Sequence, residues 1–395
     1  MLEVKKKKVS VFITLCAIYL FCTPLDFLPI IPNVSFSVSK ILVLLPLLGA
    51  ALELGEFSKA DKKAFPLFLY FIVVAATMVY TINRGKSLDR FISVGLNTIL
   101  IFILSLRKYS EEELKYLLKA YVYSAWFVLA LLVMYADFDS NSGRMTIMVN
   151  GQEQDPNYLT GYFTFSICYY LWGFIQQKKE SYLIYSILFF VPIFLTGSRG
   201  GLLANGLAVF LLLFLGRKKI NFAATMTVAM AVGLLLVIVW GFLPEEITIR
   251  YSLEFTQNDG GAQRFEIWKS CWEKFKQASI LRKFFGFGAG TIRHLNYKGG
   301  VAHNLFIEFL LEYGIVGALV LIGMLVYYIV LAYRNKEYYI VAAFIGYIVM
   351  MMSLSLFSYK PMWNVLLFII LAHKVRSTID NNNENSPVIN LRDLN

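Results

Sequence analysis

Residues 303–331 read HNLFIEFLLEYGIVGALVLIGMLVYYIVL. After its first turn the run is almost wholly apolar, and it exceeds the roughly 20 residues that cross a bilayer core. Glu308 and Glu312 are its only charged groups. The same window, moved along the chain, finds twelve candidate spans, near 9–25, 36–54, 64–82, 90–106, 114–135, 157–175, 182–197, 200–216, 221–243, 303–331, 338–357 and 361–373. The expected fold is an all-α polytopic membrane protein of about twelve transmembrane helices.

Composition agrees. Of 395 residues, 58% are hydrophobic and 16% charged, against about 25% charged in ordinary soluble proteins. So few charges exclude a soluble enzyme, a disordered chain and a coiled coil. The net charge of +11 is read as membrane topology, and no nucleic-acid partner is expected. The four cysteines show neither a disulfide framework nor metal-ligand spacing. The first apolar run lacks a small-residue cleavage pattern and reads as an uncleaved signal anchor.

Lys5–Lys8, Lys59/Lys62/Lys63, Arg107/Lys108, Lys178/Lys179, Arg217–Lys219, Arg334/Lys336 and Lys374/Arg376 alternate onto one face. By the positive-inside rule that face is cytoplasmic, with both termini. Residues 1–243 then hold spans one to nine, 244–302 form a long outside loop, and 303–373 hold the last three spans. Residues 374–395 are expected to be a disordered cytoplasmic tail.

The outside loop carries nine basic and six acidic residues. Topology does not ask for that excess, and a polyanionic ligand would. Within it, Phe265, Trp268, Trp272 and Phe275 recur at helical spacing. They predict an amphipathic helix, lying on the outer membrane surface or packed against the loop's own core, two placements that are compatible.

Three segments near the outer boundary carry candidate chemistry. In Thr196-Gly-Ser-Arg-Gly-Gly201, glycines surround Arg199 at a helix start, a pattern suited to an oxyanion or phosphate. In Gln263-Arg-Phe-Glu-Ile-Trp268, Arg264 opens the amphipathic helix. In Ala302-His-Asn-Leu-Phe, His303 is able to take a proton from a hydroxyl. Glu308 and Glu312 share another face of that helix and are expected to pair with a neighbouring helix. Gly314 and Gly317 suggest close helix packing. Arg144, in loop 136–156, is a further phosphate or sugar contact. Asp137 and Asp139 form an Asp-x-Asp pair in the same loop, a possible divalent-cation site for which a solvated loop is the simpler reading.

In order along the chain, TGSRGG, QRFEIW and HNLFIEFLLEYGIVG resemble the O-antigen ligase and polymerase superfamily of bacterial membrane glycosyltransferases. Asp155-Pro-Asn157 and the Gly-rich Phe284–Gly290 are also similar to segments seen there. The resemblance implies a membrane-embedded glycosyltransferase of the GT-C type in the cytoplasmic (inner) membrane. Such an enzyme moves a glycan from undecaprenyl diphosphate to a glycan or lipid-glycan acceptor at the outer face, building surface polysaccharide of the cell envelope. It implies that Arg199 and Arg264 hold the diphosphate, that His303 activates the acceptor, and that no metal or cofactor is needed. Candidate substrate-binding residues are Ser198, Gly200, Arg144, Asp155, Asn157 and Asn304. The competing reading is a transporter or flippase for a lipid-linked glycan, which would line the bilayer midplane with charge.

Overall fold

A computed structural model describes residues 9–26, 38–57, 62–139, 143–149, 152–217, 222–258, 264–296 and 298–382. Every apolar window contains helix, as a bilayer core demands when water cannot satisfy backbone groups. Among the described residues, six helical stretches are long and apolar enough to cross a membrane: Lys62–Val79, Arg84–Leu106, Glu111–Tyr135, Arg199–Gly216, Leu305–Arg334 and Lys360–Ile379. Val11–Phe21, Lys40–Leu52, Glu180–Leu195 and Tyr338–Met350 are apolar but shorter. Large side chains on several of these helices stay exposed, among them Leu203, Phe210, Leu319 and Val326. That surface suits lipid rather than water.

Helix Pro156–Gln177 is the centre of the bundle. It is buried along nearly its whole length and packs against Glu111–Tyr135, Glu180–Leu188, Arg199–Gly216 and Tyr338–Met350. Small residues let the helices approach. A Cβ on Gly201 would collide with Thr160, and one on Gly200 with Ser353.

Helix Leu305–Arg334 breaks at Gly314, whose φ is 68°. The Gly-rich segment docks on this break. A Cβ on Gly314 would meet the Phe284 carbonyl, and one on Gly286 the Glu312 carbonyl. Gly286, Gly288 and Gly290 all have positive φ. Phe287 and Gly288 donate backbone N–H groups to the carbonyls of Leu311 and Glu312 at 2.8 and 2.9 Å. The glycines therefore let a chain segment lie directly on a helix backbone.

Two ends of the bundle differ chemically. At one end Arg107 pairs with Glu53 and Glu113, Tyr328 donates to the Lys63 carbonyl, and Arg376 donates to the Asn335 carbonyl. Lys63, Arg107 and Arg376 are among the described members of the basic loops. Lys5–Lys8, Lys59, Lys218 and Lys219 lie outside the described residues. The candidate chemistry gathers at the opposite end.

Two expectations change and a third is narrowed. Loop 136–156 contains a small antiparallel sheet, with strands Ala136–Phe138, Met145–Val149 and Gln152–Glu153 in sequential order and Asp137 opposite Thr146. The last helix runs on to Asn382, so residues 374–382 are helical where a disordered tail was expected; 383–395 lie outside the described residues. Finally, helix Arg264–Gln277 buries Ile267 and Cys271 against Ile292, Leu295, Ala302 and Leu311, while Phe265 and Trp272 remain 54% and 52% exposed. It packs on the protein's own core, one of the two placements expected, with Trp268 and Phe275 of the aromatic stripe partly buried against that core and Phe265 and Trp272 turned outward.

Candidate functional site

The site is built on three helix starts and a hairpin. Ser198 caps helix Arg199–Gly216, its hydroxyl accepting the Gly201 N–H at 3.2 Å. Gly197 makes the turn with φ 58°. Arg199 is thus the first residue of a helix whose N–H groups and positive dipole end point toward the site. Asp155 caps helix Pro156–Gln177, accepting from the Asn157 N–H at 2.9 Å and its side-chain amide at 2.7 Å. Pro156 at the first helical position fits because that N–H needs no partner. Asn304 caps helix Leu305–Arg334, accepting from Phe306 and Ile307. That leaves His303 in the loop before the helix, at φ 49°, a left-handed conformation uncommon for a residue with a side chain.

Arg144 ties these starts together. Its Nε donates to the Thr196 carbonyl at 2.7 Å and its guanidinium to Asn157 Oδ1 at 3.0 Å. From the other side, Tyr251 donates to the Phe194 carbonyl at 3.0 Å, and Trp268 donates its indole N–H to the Ala302 carbonyl at 2.8 Å. The long loop is thereby drawn onto both the arginine turn and the histidine loop.

The result is one cavity of about 450 Å³. Arg144, Arg199, Arg250 and Arg264 line it together with His303, Asp155, Asn157, Gly197 and Gly200. Asp155 is the one carboxylate among those lining residues. The four arginine residues are half-buried. Burial first, and then the neighbouring Arg250, push Arg144 down to about 10. Like charges held this close, at reduced dielectric, favour an anion that spans them. His303 is held below its usual range by burial and then by Arg264, partly offset by Asp155. That favours its neutral form, which can accept a proton, and its Nδ1 has no hydrogen-bond partner among the described residues.

Beneath the histidine loop lies a second polar layer. Glu308 Oε1 accepts the Ala302 N–H at 2.9 Å and the Ser355 hydroxyl at 2.5 Å. Glu312 accepts the Ile292 N–H at 2.9 Å. Arg90 forms ion pairs with both carboxylates and stacks on Phe357 at 3.9 Å. The structural pairing expected for these two acids is present, with Arg90 of helix Arg84–Leu106 as partner.

Of the candidate residues, Arg144, Asp155, Asn157, Arg199, Gly200, Arg264 and His303 converge on the cavity. Ser198 and Asn304 do not line it; their side chains are used as helix caps. Asp137 is turned to its own backbone, accepting the Phe138 N–H at 2.8 Å, and is not among the lining residues. Arg250 was not singled out in the sequence. Only the basic excess of the loop pointed to it.

Residues 184–322 match the family model described as O-Antigen ligase. The match supports the O-antigen ligase and polymerase superfamily that the ordered motifs resemble. It covers about a third of the chain and takes in Arg199, Arg250, Arg264 and His303. Arg144, Asp155 and Asn157 lie ahead of the O-antigen ligase match and join it only in space. No curated protein matches the chain. The family match and the apolar helices together point to a membrane-embedded protein.

Proposed function

We propose that the protein transfers a glycan from undecaprenyl diphosphate to an acceptor sugar hydroxyl at the outer face of the cytoplasmic membrane. The observation that carries this is the sharing of one cavity by four arginines and a neutral histidine. The arginine side chains and the Arg199 helix start receive the diphosphate, whose charge grows as it leaves. The acceptor oxygen attacks the anomeric carbon as its proton passes to His303. The bond from that carbon to the phosphate oxygen breaks, and the diphosphate departs with the electron pair. A single displacement of this kind inverts the anomeric carbon. The guanidiniums supply the positive charge that a metal ion supplies in other transferases.

The cytoplasmic assignment of both termini belongs to the same proposal and is supported by the shared basic end of the bundle. The flippase reading is disfavoured by the gathering of these arginines at one end of the helices.

The test is glycan transfer by purified protein in detergent with a lipid-diphosphate-linked repeat unit and EDTA. Wild type is compared with Arg199→Ala, Arg264→Ala and His303→Ala. Release of undecaprenyl diphosphate with a lengthened glycan, lost in the variants, supports a polymerase. Release only on addition of a separate acceptor supports a ligase. No turnover, together with movement of the intact lipid across reconstituted vesicles, overturns the transferase reading.

A further inference from the structure

A second cavity of about 240 Å³ opens beside the arginine-lined one, and Asp155 lines both. Its chemistry is opposite. Asp26 and Asp155 supply carboxylates, Tyr158, Tyr162 and Tyr359 supply rings, and Ser358 supplies a hydroxyl. Neither arginine nor lysine lines it. The Tyr359 hydroxyl donates to the Tyr158 carbonyl at 2.5 Å, and the Tyr158 hydroxyl to the Ser355 carbonyl at 3.3 Å. Two of the rings are therefore anchored by their hydroxyls and offer the cavity their apolar surfaces. The cavity is smaller than the about 300–1,000 Å³ of drug-sized sites, which suits a single ring rather than a chain.

Carboxylates that accept hydrogen bonds, set among aromatic carbons, fit a ligand with many O–H donors and apolar C–H faces. A pyranose has both. The same carboxylates repel a diphosphate, which the neighbouring arginines attract. Resting on the transferase reading above, we infer that this cavity is the acceptor subsite and that it takes a neutral sugar in preference to a uronic acid. A sugar seated there has Asp155 at the boundary with the cavity that holds His303, so one of its hydroxyls is presented toward the base. Ser355 also connects this cavity to the histidine loop, since its hydroxyl bonds Glu308, which holds the Ala302 N–H.

The experiment uses the full chain in detergent and two probes. Saturation-transfer NMR reports binding of methyl glucoside and of methyl glucuronide. Quenching of intrinsic tryptophan fluorescence reports binding of undecaprenyl diphosphate. Wild type should give transfer to the glucoside at least fivefold stronger than to the glucuronide. Ser358→Trp, which fills the cavity, should abolish the glucoside signal and leave undecaprenyl diphosphate binding unchanged. Asp26→Asn changes no volume and should bring the glucuronide signal up toward that of the glucoside. Equal signals from the two sugars in wild type, or a glucoside signal that survives Ser358→Trp, overturn the inference. If Ser358→Trp fails to fold, Asp26→Asn decides alone, and an unchanged sugar preference overturns it. Undecaprenyl diphosphate binding that persists in Arg199→Ala and Arg264→Ala would instead remove the donor reading, a failure visible without either sugar.

Discussion

Arg144 donates its Nε proton to the Thr196 carbonyl at 2.7 Å, joining the short sheet to the turn that carries Arg199. Its guanidinium also reaches Asn157 at 3.0 Å, so one side chain sets the spacing of two helix starts. Lysine has one compact ammonium and lacks the planar fork that serves both acceptors. Arg144→Lys should lose at least one charged hydrogen bond, worth about 1.5–3 kcal/mol. A fall of about tenfold or more in kcat/KM, with charge retained, is the expected outcome of the transfer assay.

In the proposed transfer His303 acts in its neutral form, so protonation on the acid side should remove activity. Burial and Arg264 hold its folded value below the ordinary 6.5. The acid limb of kcat/KM, which reports the free enzyme, should therefore lie below pH 6.5. Arg264→Gln takes away one of the charges that lower it. The limb should move to higher pH while the plateau drops by about 10²–10³-fold, the scale of a lost oxyanion donor. A pH–rate profile with an unmoved limb would separate Arg264 from the histidine.

The Glu308 side chain is fully buried and faces Arg90. Removing one partner of a buried pair costs about 3–5 kcal/mol, because the other charge is stranded. Glu308→Ala should lower the thermal unfolding temperature in detergent markedly. Glu308→Gln keeps an acceptor for the Ala302 N–H and should fall between that variant and wild type. Because Ala302 precedes His303, both variants should also lose transfer activity ahead of any loss of undecaprenyl diphosphate binding.

Gly286 lies at φ 77°, with the Glu312 carbonyl where a Cβ would sit. Gly286→Ala combines a left-handed conformation costing about 1–3 kcal/mol with a backbone collision that needs the helix to shift. Gly323, in the same helix as Glu312, has nothing within 4 Å of its Cβ position. Gly323→Ala should be neutral or stabilising by up to about 1 kcal/mol. Thermal unfolding of the two variants side by side distinguishes the glycine that is required from the one that is tolerated.

The helical, apolar character of this chain was legible in its sequence, since hydropathy and helix length are local properties and a bilayer forces helices on long apolar runs. Arg199 and His303 were legible because each stands beside a capping residue, Ser198 or Asn304, and Arg264 because it opens the amphipathic run; their roles were read from the family resemblance. Tertiary structure decided what those residues form together. Arg144 and Arg250 flank the TGSRGG turn in space while lying 55 and 51 positions from Arg199 in the chain, and no local pattern marks Arg250 at all. Tertiary structure likewise decided that Arg90 is the partner of Glu308 and Glu312, which glycines seat one segment on another's backbone, and which face helix Arg264–Gln277 buries. Spacing shows which residues share a helix face. Which face meets a neighbour depends on how side chains from distant segments pack, and that is fixed only when the helices assemble.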